Sequence, residues 1–317
     1  MVADRPIKRR EQVLRVARGL GGEEPIRTLN GAVLKRKQVA AVVEAAIEAR
    51  RAGTLADLPD VDAKRADILL AGALILEGVV RRFAVKELVI SEYALREGVF
   101  LDTLQRQVGT AQHRLRDVAR RSVLDLVAAC DEDAAHSQHV AWLALELFDA
   151  TASLHGLGDE ARSLLEAGAL LANVGLVISH AKHHKHSYYV VRNSDRLVGF
   201  TDGEIEMVAQ IARYHRKSAP KPTHPEWAAL DPDAQEIVRV AASVLRIAIG
   251  MDRSHRQLVT GVDVAISDGE VAITMVSAAA DADLSLGLYA AEQATGLLAE
   301  VAGRPIRISD PNGSSFT

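Results

Sequence analysis

Histidines crowd into one short stretch in the middle of the chain. They are His180, His183, His184 and His186. A second basic run, Tyr-His-Arg-Lys, follows and ends at Lys217. Cations on neighbouring helix ends can hold phosphate oxygens by charge-assisted hydrogen bonds. We therefore predict a phosphate-binding patch, which comprises Lys185, His186, Arg213, His215, Arg216 and Lys217. The alternative is a capping loop in which some histidines bond to the backbone and others face water.

The elements that must position this patch are helices. Long alanine- and leucine-rich periods predict helices at residues 115–128, 136–151, 161–171, 204–214 and 234–250. Thr201 is predicted to cap the helix that begins near Glu204, because a threonine at this position can accept from the first free N–H groups. Trp142, Leu147 and Phe148 share one helical period and are predicted to lie in the core.

The C-terminal part carries a strand pattern. Residues 262–266 and 270–276 alternate apolar with polar side chains across Ser267, Asp268 and Gly269, which predicts a β-hairpin. A helix over residues 284–301 and a last strand around 306–308 are predicted to follow.

The first third predicts a small α/β element. Two helical periods, at residues 11–18 and 39–47, precede a continuous apolar run at 68–71 that is typical of a strand buried on both faces. A helix over 73–83 and a strand at 88–90 follow, which predicts a parallel pair joined by a right-handed crossover. Since two strands are marginal in water, we expect that this sheet lacks strands that would complete it.

Composition limits the class of protein. With 317 residues, 48% of them hydrophobic, the chain can bury a core, and its single cysteine, Cys130, excludes an internal disulfide. No signal stretch and no apolar run of roughly 18 residues is present, which predicts a cytoplasmic protein with no membrane partner. Basic runs at residues 8–10 and 35–37 could attract polyanions, but we interpret them as solvated helix faces and expect no specific nucleic-acid partner.

Three segments resemble one known family. They are AGALILEGVV with ISEYALREGVF (71–80 and 90–100), the long stretch from LLANVG to HRKSAPK (170–221), and LRIAIGMD (245–252). In this order they resemble Ppx/GppA phosphatases, the exopolyphosphatases and guanosine pentaphosphate phosphohydrolases. The resemblance covers residues 29–308.

The resemblance implies a mainly α fold with a small α/β part. Residues 1–108 are expected to be a partial actin-like (ribonuclease H-like) second domain. Residues 109–317 are expected to be an HD-like helical domain with a C-terminal α+β hairpin element.

The resemblance also implies a hydrolase activity for intact relatives. They cleave the terminal phosphate of polyphosphate or guanosine pentaphosphate, with Mg²⁺ and a water activated by a carboxylate. The glycine-rich phosphate loops and that carboxylate belong to the family's N-terminal catalytic domain, which we do not recognise here. We therefore expect the chain to be inactive alone, assign no catalytic residue and no cofactor on this chain, and expect a homodimer that binds polyphosphate or a guanosine nucleotide.

Two other functions remain open. One is a non-catalytic polyphosphate-binding, nucleotide-binding or dimerisation module. The other is a stand-alone HD-type phosphohydrolase, whose metal would be held by His136, a central His-Asp pair and Asp252. The central pair falls on Ala172 and Asn173, and alanine donates nothing to a metal. We therefore predict no metal site.

Overall fold

The computed structural model describes residues 9–23, 28–61, 66–90, 111–279, 282–311 and 313–315. The chain divides into two compact units, residues 1–111 and 112–317. Each unit buries its own hydrophobic cluster. The predicted boundary lies between residues 108 and 109.

The described residues of the first unit form three helices and two short strands. In chain order these are α1 (Arg9–Leu20), β1 (Val33–Lys35), α2 (Arg36–Ala52), α3 (Ala66–Arg82) and β2 (Glu87–Val89). A 3₁₀ turn, Leu55–Asp57, follows α2. The two strands are antiparallel, and Leu34 lies opposite Leu88.

The strand predicted at residues 68–71 is wrong. These residues belong to α3, in which Leu69 and Ala73 are buried while Ile68 and Ile75 are exposed. A four-residue apolar run fits a buried strand or a helix equally well, and here it is part of a helical period. The strand predicted at 88–90 is confirmed as β2, but it pairs antiparallel with β1. The predicted parallel crossover is therefore also wrong.

The second unit is a helical assembly with a small sheet. Its helices are α4 (Ala111–Cys130), α5 (Ala134–Ala150), α6 (Ala152–His155), α7 (Asp159–Leu170), α8 (His183–Asn193), α9 (Asp202–Tyr214), α10 (Pro225–Ala228), α11 (Pro232–Met251), α12 (Ser285–Glu292) and α13 (Gly296–Ala302). A 3₁₀ turn, Val174–Val177, leads from α7 towards α8. All five helical periods predicted for this part are confirmed. Among the described residues, no helix combines the length and the apolar content needed to cross a membrane.

The predicted hairpin is confirmed. Strand β3 (Val259–Ile266) pairs antiparallel with β4 (Val271–Ser277), and β4 pairs parallel with β5 (Ile306–Ser309). The helix predicted over 284–301 is instead two helices, α12 and α13, because the chain turns at residues 293–295. Close packing fixes the first of them, since Gly250 of α11 lies against the backbone of Ala291.

One predicted core residue lies nearer the surface. Leu147 and Phe148 are buried as predicted, whereas Trp142 is 38% exposed. The prediction for Trp142 is wrong because the buried face of α5 is narrower than the apolar part of its sequence.

Candidate phosphate-binding site

The two basic runs that suggested the patch meet in space. The histidine-rich run opens α8 rather than forming a capping loop, and only His180 precedes the helix. The second run begins at the last turn of α9. The rings of His183 and His215 join them, with their Nε2 atoms 3.2 Å apart. The start of α8 therefore lies against the end of α9.

Helix α9 is fixed at both ends. At its start, the backbone N–H of Glu204 donates to Thr201 Oγ1 at 3.2 Å, and Thr201 N–H donates to Glu204 Oε2 at 2.6 Å, which confirms the predicted cap. Beyond its end, Arg246 of α11 donates to the carbonyl oxygens of Tyr214, Lys217 and Ser218, at 2.7, 2.9 and 2.9 Å. Arg246 thereby holds the turn that carries the second basic run.

The start of α8 is held by the 3₁₀ turn before it. Ser187 Oγ accepts from Gly175 N–H at 3.0 Å and donates to Ala172 O at 2.6 Å. A Cβ on Gly175 would lie 2.2 Å from Ser187 N and 2.4 Å from His183 O. Only glycine lets the turn approach the helix this closely.

Three predicted cations reach solvent at this junction. Lys185, Arg216 and Lys217 are exposed, and His186 is half-buried. The charges of Lys185 and Arg216 both disfavour a proton on His184, so both charges lie near this ring. Lys185, Arg213 and Lys221 act in the same way on His224. The first turn of α8 holds no acidic residue, which leaves its positive dipole end uncompensated.

The other two predicted residues are engaged with the protein. Arg213 donates to Glu226 at 2.9 Å and lies over the rings of Tyr188 and Tyr214, 5.4 and 5.5 Å from their centroids. His215 is 4% exposed, and its Nδ1 lies 2.6 Å from Ala212 O. The phosphate-binding role of all six residues stays a prediction.

Burial favours the neutral form of three histidines at this junction. It lowers the pKa of His215 to about 3 and that of His184 to about 4, and it also lowers the pKa of His183. Neighbouring positive charge, above all Arg216, lowers the pKa of His184 further. At neutral pH these three rings are therefore mostly uncharged.

Sequence reasoning missed the residues that shape the site. The site prediction omitted His183, Ser187 and Arg246. These residues hold the elements that carry the exposed cations, and they are not themselves among those cations. A sequence signal existed only for Ser187, because a small hydroxyl in an otherwise cationic or aromatic helix start suggests a local hydrogen bond.

The second predicted constellation is also brought together. His136 Nδ1 lies 2.9 Å from Asp252 Oδ2, and both residues are buried. The ring of His136 stacks on His255 at 3.6 Å, and His255 Nδ1 lies 2.7 Å from Asp133 Oδ2. Asp133 also caps α5 by accepting from His136 N–H. The pair is part of a network that ties the start of α5 to the end of α11.

These residues do not fit a divalent metal. One oxygen of Asp252 faces His136, and the other accepts from Gln257 N–H at 2.8 Å. Ala172 offers no donor atom, and Asn173 donates its amide to Ser137 Oγ at 3.4 Å. Within the described parts of the chain, no group of three or more His, Cys, Asp or Glu side chains is arranged to hold a metal.

The helical unit defines the class of protein. Residues 118–283, more than half of the chain, match the family model described as Ppx/GppA phosphatase, domain III. Residues 20–107 match a second model, the Ppx/GppA phosphatase family. The chain belongs to the Ppx/GppA phosphatase family, as its sequence predicted.

Several curated relatives carry the name guanosine-5'-triphosphate,3'-diphosphate pyrophosphatase. The protein from Pseudoalteromonas translucida is 27% identical over 199 residues, 61% of this chain and 37% of the relative. That from Vibrio parahaemolyticus is 25% identical over 162 residues, 51% of this chain and 31% of the relative. That from Vibrio vulnificus is 27% identical over 155 residues, 49% of this chain and 30% of the relative. The matched region is about a third of the length of these relatives.

Proposed function

We propose that this chain acts as part of a Ppx/GppA hydrolase that removes the terminal phosphate of polyphosphate or guanosine pentaphosphate. In this proposal, residues 112–317 bind the phosphate chain. The observation that carries this proposal is the cationic junction of α8 and α9. Exposed Lys185 and Arg216 stand there beside a helix start that has no acidic side chain. Such a surface suits a polyanion because each phosphate can accept charge-assisted hydrogen bonds.

We propose further that the junction binds phosphate but does not cleave it. Phosphoryl transfer depends on a positioned water and on charge stabilisation around the transferred group. The carboxylates next to the junction are already paired, Glu226 with Arg213 and Glu206 with Arg192 at 2.7 Å. Neither is placed to activate a water. The names of the relatives support a guanosine nucleotide as the ligand, whereas the run of cations suits any phosphate chain.

Binding measurements test the first proposal. Isothermal titration of the full chain with long-chain polyphosphate and with guanosine pentaphosphate should give binding that weakens steeply as salt rises. Arg216→Ala and Lys185→Ala should each weaken it by about tenfold, since a hydrogen bond to a charged group contributes roughly 1.5–3 kcal/mol. Arg307→Ala is the matched control, because Arg307 pairs with Glu270 on the small sheet. Equal affinity in the three variants would refute the site.

A turnover assay tests the second. The chain with magnesium should release phosphate from either ligand no faster than a blank without protein. Release at rates typical of an enzyme, lost in a single carboxylate variant, would place an active site within this chain.

Four finer assignments belong to the same proposal. We propose that residues 1–111 are part of an actin-like domain, that residues 112–317 are HD-like, and that the protein works in the cytoplasm as a homodimer. The buried pair of His136 and Asp252 supports the second. Exposed apolar side chains on α3 and directly after it support self-association, since Ile75 is 59% and Phe83 is 73% exposed. Light scattering after size exclusion should give twice the chain mass, falling to the chain mass in Ile75→Glu.

A further inference from the structure

A continuous chain of side-chain contacts runs from the backbone of α9 to an exposed arginine. His215 Nδ1 lies 2.6 Å from Ala212 O. His215 Nε2 lies 3.2 Å from His183 Nε2, and the two rings stack with centroids 5.2 Å apart. His183 Nδ1 lies 3.3 Å from a terminal guanidinium nitrogen of Arg216.

The two ends of this chain of contacts determine where the protons are. A carbonyl oxygen only accepts, so His215 Nδ1 carries a hydrogen and donates to Ala212 O. Burial lowers the pKa of His215 to about 3, so its ring holds one proton and its Nε2 is an acceptor. The facing atom, His183 Nε2, must then donate.

The same reasoning extends to Arg216. The pKa of His183 is also lowered by burial, so a His183 ring that is protonated at Nε2 has a lone pair at Nδ1. A guanidinium only donates, and its N–H meets that lone pair. The opposite tautomer would let His183 Nδ1 donate to His180 O at 3.3 Å. It would also set two lone pairs against each other across the 3.2 Å gap and two N–H groups against each other at Arg216.

We infer that His183 and His215 form a proton-ordered pair that orients Arg216 for the phosphate ligand, so that both are positioning residues of the site. This inference rests on the proposed function for the identity of the ligand. One edge of the guanidinium is fixed by His183, and its other N–H groups are left for phosphate oxygens. Holding a long side chain before the ligand arrives reduces the entropy lost on binding.

The proton positions can be measured without any ligand. Long-range ¹H–¹⁵N correlation spectra of the full, histidine-labelled chain at neutral pH distinguish the tautomers, and His183→Asn and His215→Asn assign the two signals. We expect His215 protonated at Nδ1 and His183 protonated at Nε2. A His183 ring protonated at Nδ1, or doubly protonated, would overturn the inference.

Two substitutions at one position test the effect on binding. An asparagine oxygen can take the place of His183 Nδ1, whereas a glutamine amide reaches the Nε2 position and leaves Arg216 without its acceptor. His183→Gln should weaken phosphate-chain binding by about tenfold, as for one lost bond to a charged group, and His183→Asn by less than about threefold. In an Arg216→Ala background the two should be indistinguishable.

Two outcomes contradict the inference directly. They are equal losses in His183→Gln and His183→Asn, or a loss from His183→Gln that persists without Arg216. If the unaltered chain binds no phosphate chain, the proposed function fails. The tautomer spectra still decide whether the ordered pair exists.

Discussion

The buried imidazoles at the start of α8 and the end of α9 make stability depend on pH. His215 has an ordinary pKa of 6.5 and a pKa of about 3 in the folded protein. Its contribution to the free energy of unfolding is therefore complete above pH 6.5 and is lost as pH falls. The reason is that the imidazole binds a proton in the unfolded chain but stays neutral in the folded protein. From pH 7 to pH 5 this one group should remove about 2 kcal/mol from the free energy of unfolding.

Urea unfolding followed by tryptophan fluorescence at pH 7, 6 and 5 measures this loss. His215→Asn should show a pH dependence smaller by about 2 kcal/mol over that range. The control is His180→Asn, since His180 is exposed at the same junction. Parallel pH dependences in all three proteins would contradict the assignment of a neutral, buried ring.

Gly175 should be intolerant of a side chain. Its Cβ would meet the backbone of Ser187 and His183, which cannot move without separating the 3₁₀ turn from α8. Gly175→Ala is expected to destabilise the second unit by about 2–4 kcal/mol. Gly203→Ala is the matched control, because nothing lies within 4 Å of its Cβ position and alanine favours a helix. Thermal unfolding compares them, and equal melting temperatures would refute the close approach.

At this scale the sequence predicted what is local. The cap at Thr201 depends on two residues three positions apart. The cations are recognisable because lysine and arginine are charged wherever they lie in the sequence. The contact between His183 and His215 spans 32 positions. Nothing in the type or spacing of two neutral imidazoles indicates that contact, so only the packing of α8 on α9 reveals it.

Among the helices, the turn after α9 depends on one side chain of α11. Arg246 satisfies three carbonyl oxygens there. Arg246→Met removes these bonds but keeps the apolar stem, and it should cost about 1–3 kcal/mol while weakening phosphate binding, because Arg216 and Lys217 lie in the released turn. Arg239→Met on the same helix is the control, since Arg239 lies over Trp227 at 5.7 Å instead. Chemical unfolding measures the loss of stability, and polyphosphate titration measures the loss of affinity. Unchanged phosphate affinity would mean that this turn does not position the phosphate site.

Element types were predictable where the period is long. Five helices of the second unit follow from their periods, and the hairpin follows from alternation and a Ser-Asp-Gly turn. In the first unit the apolar run at 68–71 was too short to distinguish strand from helix, and the pairing of β1 with β2 joins residues more than fifty positions apart, as Leu34 with Leu88 shows. Short strands paired at such a distance carry little local signal.

At the scale of the whole molecule, the chain holds two separate cores. Among the described residues, the cluster of the second unit is the larger, and each cluster is made of residues from one unit. Domains with independent cores violate two-state unfolding. We expect two transitions in urea, the first from the smaller unit.

The tryptophans distinguish the two transitions. Both of them, Trp142 and Trp227, lie in the second unit. Their fluorescence should therefore report only the later transition, while far-ultraviolet circular dichroism reports both. Coincident curves from the two probes would mean that the units unfold as one.

The neutrality of His183, His184 and His215 has a calorimetric consequence. A site whose imidazoles were charged only with ligand present would draw protons from the buffer as it filled. Its measured heat would then change with the ionisation enthalpy of that buffer. In the proposed site, burial holds the pKa of His184 to about 4 and that of His215 to about 3, too far below neutral pH for a bound phosphate to protonate them readily. We therefore expect these two rings to add no proton uptake to the heat of phosphate binding, because the charge of Lys185 and Arg216 is present before the ligand arrives.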